Sequence, residues 1–563
     1  MIEAVPPGLI LIAGACVVPF LRGPLRAAFM LALPLLGFWQ LMQITPGTYV
    51  ETRFFDYTLV LFQVDRLSLV FGYVFFLAVL ISLIYAMHIK DTVQQVAGLV
   101  YAGAAICAVF AGDLITLFAF WELTAIASVF LIWAVRTERS FKVGMRYLII
   151  QVGSGVLLLS GAVLIVADTG SIAFGHIGID SLGGKLILAS FGIKAAFPLL
   201  HNWLQDSYPE ATVTGTVFLS AFTTKLAIYA LARGYAGTEM LILVGAAMTA
   251  FPIFYAVIEN DLRRVLAYSL NNQLGFMVVG IGIGTELSLN GTVAHAVAHI
   301  IYKALLFMSM GAVLYRTGTM KGSELGGLYK SMPWTTGFCI VGAAAISGFP
   351  LFSGFVTKSM ILSAAAEEGY WFTWAVLLFA SAGVFHHSGI KIPFFAFFAH
   401  DSGKRVKEAP ANMLLAMALA AALCIYIGVN PAPLYAILPF AVDYTPYTVG
   451  HVIASLQLLA FAALAFAVLI RYGFYPLETP STNLDSDWIY RRLLPKWIAG
   501  LARGLRDAGA ELDRWREASL RYLLGRVFHY HGPRSVMART WPVGGAALWV
   551  MVLLGGYLVV YYL

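Results

Sequence analysis

The sequence predicts an all-α polytopic membrane protein, with about 14–16 transmembrane helices on a ~20-residue length rule. Composition is the first reason. Of 563 residues, 60% are hydrophobic and 12% charged, against about 25% charged in a soluble domain. Repetition is the second, because apolar runs long enough to cross a bilayer recur from Gly8 to Leu563. The third is what interrupts the runs: single lysines and histidines and one glutamate, rather than charge clusters. One large membrane domain is expected instead of several soluble ones.

Taken in order, the first six crossings are expected over Gly8–Phe20, Arg26–Ile44, Leu67–Met87, Val96–Ala111, Leu114–Val135 and Val143–Ala167. A broken element follows: Gly184–Leu200, the polar stretch His201–Glu210, then Val213–Arg233. Met240–Ile258, Val265–Gly284 and Gly291–Tyr315 come next. Thr335–Ala365 is interrupted at Gly348-Phe349-Pro350, and Trp371–Phe398, Met413–Val429, Val452–Ile470 and Val543–Tyr561 complete the set. Met-Ile-Glu opens the chain without the basic leader of a cleavable signal, so the first helix is expected to be retained.

Alternating crossings gather Arg22, Arg136, Arg139, Lys142, Arg263, Arg264, Arg316, Lys321, Lys330, Lys404, Arg405 and Lys407 on one face. The excess of positive charge assigns that face to the cytoplasm. Thr45–Asp65 and the nearly uncharged loop 168–181 fall opposite. Between Arg471 and Thr540 the character changes, with twelve Arg or Lys and seven Asp or Glu. Trp488, Leu493, Leu494, Trp497, Ile498, Leu501 and Leu505 recur there at helical spacing. This reads as an amphipathic helix on the cytoplasmic surface, with a small soluble domain as the alternative. No nucleic-acid motif accompanies the charge. Cys16, Cys107, Cys339 and Cys424 each stand alone in apolar runs, so all four are expected to be small buried core residues. No disulfide framework, metal site or cofactor is expected.

Ionisable side chains inside spanning segments are costly, about 2.5–3.5 kcal/mol for Lys or Asp at a helix centre on insertion scales, and are functional candidates by default. Glu122 lies in Phe120-Trp121-Glu122-Leu123, Lys194 just before the first break, and Lys225 in the middle of the following helix. His295, His299 and Lys303 are four apart and share one helix face. Lys358 follows Pro350, and His386, His387 and Lys391 sit in the next helix. Together these groups form a candidate proton relay. Burial favours a neutral amine and a nearby carboxylate favours the ammonium, so a movable Glu122–Lys194 pair would couple their protonation. Histidine passes protons through either ring nitrogen. The competing readings are a structural ion pair for the lysines and Glu122, hydrogen-bonded core groups for His295 and His299, and, for His386, His387 and Lys391, a helix end where lysine snorkels. Interrupted helices in corresponding positions of two halves point to a transport site.

At these residues the sequence resembles the antiporter-like subunit family shared by Mrp-type Na⁺/H⁺ antiporters and respiratory complex I (NADH:quinone oxidoreductase). The matching stretches are Phe120-Trp121-Glu122-Leu123, Lys194 through His201-Asn202-Trp203-Leu204, and Asp261 through Ser269. His295 through Phe307 and Gly348-Phe349-Pro350 through Lys358 match as well. Gly389-Ile390-Lys391-Ile392-Pro393-Phe394-Phe395 is most similar to the D-type subunit of Mrp antiporters. The last amphipathic stretch and helix resemble the lateral extension of the largest antiporter-like subunit of complex I.

The resemblance implies two inverted five-helix repeats, each with a discontinuous helix. It implies N-terminal helices and a periplasmic loop over 1–94, the repeats over 95–235 and 236–400, and C-terminal core helices over 401–471. A cytoplasmic-side amphipathic segment over 472–540 and a final helix over 541–563 would follow. It also implies that Glu122 partners Lys194, that Lys225 connects the halves, that His299 and Lys303 form the second relay, and that Lys358 is its terminal group. The expected function is proton translocation in a multisubunit Na⁺/proton antiporter of the bacterial inner membrane, a transporter subunit rather than an enzyme, with other subunits as partners. The alternative is a pumping, non-redox subunit of a complex I-like or related energy-coupled assembly, since no GxGxxG or cysteine cluster is present to bind a redox group.

Overall fold

The computed structural model describes residues 5–55, 57–476, 483, 485–535 and 538–563, the side chain of residue 54 excepted. The chain divides into two compact units, Met1–Asp485 and Ser486–Leu563.

The first unit opens with α1 (Pro7–Val17) and α2 (Gly23–Met42), followed by a hairpin of β1 (Gly47–Phe54) and β2 (Tyr57–Val64). Next come α3 (Arg66–Ala86), α4 (Thr92–Val109), α5 (Leu114–Trp133), α6 (Glu138–Thr169), α7 (Leu182–Lys194), α8 (Asn202–Glu210), α9 (Gly215–Ala221) and α10 (Thr223–Gly234). The second half holds α11 (Met240–Ile258), α12 (Leu262–Ile283), α13 (Glu286–Thr317), α14 (Pro333–Ser347), α15 (Ser353–Glu367) and α16 (Trp371–Val384). α17 (Ala411–Val429), α18 (Ala432–Ala436) and α19 (Val449–Arg471) complete the unit. Among the described residues, twelve helices of the whole chain are long and apolar enough to cross a membrane, counting α9 with α10 and α16 with its continuation to Phe398. The short α1, the polar α12 and the discontinuous paths α7/α8 and α14/α15 bring the crossings to sixteen.

The stretch expected to be an extracytoplasmic loop is instead the hairpin. Its β-branched and aromatic residues suit a pleated surface, and Phe62 and Val64 turn inward while Thr58 stays exposed. Cys16 departs from its expected burial and lies on the exposed side of α1, whereas the other three cysteines are buried.

Helix starts follow from capping side chains that satisfy the free amides of a first turn. Asp113 accepts from Ile115 N at 2.9 Å and Thr116 N at 2.7 Å. Asp261 accepts from Arg263 N at 2.9 Å and Arg264 N at 3.1 Å. Thr137 and Ser140 form a reciprocal capping box at α6.

Contacts between loops define two faces. On the basic face Arg136 pairs with Asp91 at 3.0 Å, Arg139 pairs with Glu210 at 2.5 Å, and Arg316 donates to Glu408 O at 2.6 Å. Opposite, Val60 N donates to Asp113 at 2.7 Å, Phe174 N to Gly112 O at 2.9 Å, and Gly237 N to Ile281 O at 2.9 Å. α4 therefore starts at the basic face, and α11, seven labels later, starts at the opposite one. The bundles α4–α10 and α11–α16 are five-crossing repeats of inverted sense, each with its fourth crossing discontinuous. Within the second, α11 and α12 pack backbone to backbone: a Cβ on Gly245 would sit 2.7 Å from Gly275 O, the close approach that small residues permit in membranes.

In the second unit a π-helical turn, Ile489–Leu493, leads into α20 (Leu494–His531), a single 38-residue helix, and α21 (Val543–Tyr562) follows. The amphipathic pattern expected over Trp488–Leu505 thus continues to His531. Residues 477–482, 484, 536 and 537 of the expected 472–540 segment lie outside the described residues.

Candidate functional site

The first discontinuity separates α7 from α8. Ala196 and Leu199 have φ of 61° and 69°, left-handed values that cost about 1–3 kcal/mol each for residues with a side chain. Irregular backbone at membrane depth needs internal polar partners, and Lys194, the last residue of α7, stands beside it. Its Nζ donates to Trp121 O at 2.7 Å and Thr124 Oγ1 at 2.8 Å, and lies 4.3 Å from the Trp121 ring. Trp121 is held in turn by Ser154 Oγ at 3.0 Å, and Ser154 donates to Ser190 O at 2.9 Å. Glu122 is half-buried, and its Oε1 is enclosed with no hydrogen-bond partner among the described residues. The expected Glu122–Lys194 pair is therefore close enough for each to feel the other's charge, while the ammonium is bound to the backbone of α5 and not to the carboxylate.

Lys225 is fully buried on α10. The crossing is interrupted at Phe222, a wide turn that the hydropathy pattern does not foretell, because no proline or glycine marks it. Side chains satisfy the freed backbone: Tyr208 OH donates to Leu219 O at 2.6 Å, Thr223 N donates to Tyr101 OH at 2.9 Å, and Lys225 Nζ donates to Ser220 O at 2.5 Å.

His295, His299 and Lys303 stack on α13, all without solvent exposure. His295 lies 2.9 Å from Thr357 Oγ1 through Nδ1 and 3.2 Å from Gln273 Oε1 through Nε2, and Tyr302 OH donates to Gln273 Oε1 at 3.0 Å. The rings of His295 and His299 are stacked 6.1 Å apart. Neither nitrogen of His299, nor Lys303 Nζ, has a hydrogen-bond partner among the described residues. Lys225 and Lys358 act electrostatically on Lys303 and on both histidines, and Lys303 acts on His299, so the lysine of the first repeat faces the relay of the second.

The second discontinuity lies at Gly348, whose φ of 72° ends α14. Lys358 reaches back from α15 to donate to Ile346 O at 2.7 Å, one of the carbonyls that α14 leaves unpaired, and lies 5.1 Å from the Phe276 ring. It lines a cavity of about 310 Å³ that also meets Ser347, Ser381, His451 and Ser455.

His386, His387 and Lys391 belong to a π-helical stretch, Phe385–Lys391, where an ordinary helix was expected; single π turns recur at functional sites. His387 Nδ1 lies 2.9 Å from Ser388 Oγ, which donates to Ser269 at 2.7 Å. Lys391 does not snorkel. It is fully buried and caps α11, donating to Val257 O and Glu259 O at 2.6 Å each and to Ala256 O at 3.3 Å.

Fold and site together define a class: a multi-pass membrane subunit of two inverted repeats, each with ionisable side chains inside its spanning segments. Residues 111–382 match the NADH:quinone oxidoreductase/Mrp antiporter transmembrane family. The chain is 30% identical over 347 residues to the D-type Na⁺/H⁺ antiporter subunit of Alkalihalophilus pseudofirmus, covering 58% of this chain and 70% of that protein. It is 33% identical over 291 residues to the N-type NADH-quinone oxidoreductase subunit of Desulforudis audaxviator, covering 48% of this chain and 58% of that protein. Hydrogenase-4 component B of Escherichia coli is 27% identical, over 55% of this chain and 53% of its own length. The chain thus spans just over half of the latter two proteins.

In fold it resembles a chain of the Mrp complex from Dietzia, with a TM-score of 0.65, 20% identity and coverage of 82% of this chain and 95% of that one. A chain of the archaeal membrane-bound sulfane sulfur reductase gives a TM-score of 0.69 at 24% identity, covering 82% and 99%. The chain belongs to the NADH:quinone oxidoreductase/Mrp antiporter transmembrane family, and is an antiporter-like membrane subunit.

Proposed function

We propose that this chain is the proton-translocating subunit of a multisubunit monovalent cation/proton antiporter, with Na⁺ as the cation. The observation that carries the reading is the run of buried ionisable groups joining the two breaks: Glu122 and Lys194, then Lys225, then His299 and Lys303, then Lys358. Apolar surroundings make each of these expensive, and a merely structural role would have paired them within the chain. Instead Glu122 Oε1, both His299 nitrogens and Lys303 Nζ have no protein partner among the described residues.

The chemistry follows from charge balance. When Glu122 takes up a proton, the Lys194 ammonium loses its countercharge and gives a proton up toward Lys225. Like charges at Lys225, Lys303 and Lys358 cannot all be held together, so arrival of a proton at one expels it from the next. His299 passes it between ring nitrogens, and the Lys358 cavity leads it toward the face opposite the basic one. His295 orients the relay through Gln273 and Thr357, and His386, His387 and Lys391 flank it. The basic face is cytoplasmic in this reading, the membrane is the bacterial inner membrane, and the neighbours are the other subunits of the assembly.

The relative from a quinone oxidoreductase favours a second reading, a pumping subunit of a redox-driven complex. Everted vesicles carrying the complete native assembly separate the two. Na⁺-dependent dequenching of a pH-gradient dye that disappears in Glu122→Ala supports the antiporter. No Na⁺ response, with acidification on adding NADH, supports the redox-driven pump.

A further inference from the structure

Near the end of the first unit, after α19, Asp485 places a carboxylate at the first break. Asp485 is 8% exposed, and its Oδ2 lies 3.0 Å from His201 Nε2 and accepts from Tyr268 OH at 3.0 Å. His201 opens the polar segment between α7 and α8, is 2% exposed, and keeps Nδ1 buried without a partner among the described residues. The imidazole therefore has one nitrogen on a carboxylate and the other turned to the protein interior.

The surrounding charges are those of the basic face. Arg264 lies between Asp206 at 3.5 Å and Glu259 at 3.7 Å, and Asn483 donates to Glu259 at 3.2 Å. Arg146 reaches Asp206 at 3.7 Å, and Tyr255 stacks on Tyr268. Of the expected relay residues, Lys391 borders this cluster, donating to Glu259 O at 2.6 Å.

We propose that Asp485 and His201 form the proton-exchange site between the relay and the basic face. Protonated Asp485 gives its proton to His201 Nε2 while the Nδ1 proton passes inward to a deprotonated amine of the relay, so the ring ends neutral with its tautomer exchanged; a ring flip restores the starting tautomer, and the carboxylate takes its next proton from water. Reversal of the same steps discharges the relay. The site rests on the proton-relay reading above and deepens it.

The test compares wild type, Asp485→Asn, Asp485→Glu, His201→Gln and the double variant Asp485→Asn/His201→Gln, in vesicles carrying the whole assembly. Initial proton-flux rates are read across pH, with the amount of assembled subunit measured alongside. Asparagine still accepts from Tyr268, so the fold is kept. The expected result is a fall of about tenfold or more in Asp485→Asn at unchanged subunit amount. A steeper dependence on bulk pH, recovery in Asp485→Glu, and no further loss in the double variant beyond His201→Gln complete the expectation. A wild-type rate and pH profile in Asp485→Asn overturns the proposal, as does a loss that merely tracks the amount of subunit. Wild-type vesicles with neither cation-linked nor NADH-driven proton movement would instead remove the relay reading, and this site with it.

Discussion

The two discontinuous helices solve the same problem with opposite chemistry. At α7/α8 the lysine ends the first segment, reaches across to α5, and has a carboxylate, Glu122, within electrostatic range. At α14/α15 the lysine belongs to the second segment and reaches back to Ile346 O, so the negative end of α14 serves as its counterpart. The first break also carries the His201–Asp485 contact, whereas the second opens into a cavity of about 310 Å³. A side-chain countercharge can be neutralised by one proton, and a helix terminus cannot. Under the proposed relay, the first break responds to protonation of Glu122, and the second holds the Lys358 ammonium at a helix end that no proton can neutralise.

The largest expected effect tests that difference directly. Glu122→Ala should lower proton-coupled flux by at least about 100-fold at normal assembly, the scale of a lost general acid–base group. Lys358→Met should cost less, about tenfold, because Lys303 and His299 remain; equal losses would break the comparison. Both are read as initial rates in vesicles.

Gly155→Ala sharpens it without touching a charge. A Cβ at Gly155 would collide with Glu122 Oε1, so the carboxylate must shift. A several-fold loss of flux is expected, and an unchanged rate would mean that Glu122 works from a different rotamer.

Lys391→Met separates capping from relay. Three carbonyls at the end of α11 would lose their donor, at about 1–3 kcal/mol for unsatisfied buried groups. A lower melting temperature of the purified assembly is expected, with flux per folded complex little changed.

The smallest effect belongs to the basic loop after α16. Arg405 binds Asp401 through 2.9 and 2.6 Å contacts and holds its carboxyl well below the usual carboxylate range. A depressed carboxylate contributes above its unfolded value and loses that contribution as pH falls through the folded one. Asp401→Asn should therefore matter at every pH above the unfolded carboxylate value of about 4, with the difference fading in stronger acid, and, since the pair is exposed, barely shift the melting temperature even there.

What the sequence determined by itself is the membrane architecture and the candidate residues. Hydropathy sets crossings because the bilayer demands about 20 apolar residues per helix, and charge inside such a run stands out against its cost. Glu122, Lys194, Lys225, His299, Lys303 and Lys358 were legible for that reason, and the two breaks were legible from His201–Pro209 and Gly348–Pro350. Tertiary structure alone decided the partners. The wide turn at Phe222 has no proline or glycine to announce it, because Tyr101, Tyr208 and Lys225 from three elements supply its hydrogen bonds. Lys391 read both as a relay residue and as a snorkelling one, and only the fold brought the end of α11 to it. Asp485 sits in a polar stretch where acids are ordinary, and 284 residues separate it from His201. A side chain's cost in the membrane is set locally, whereas its hydrogen-bond partner depends on which distant backbone the fold brings alongside.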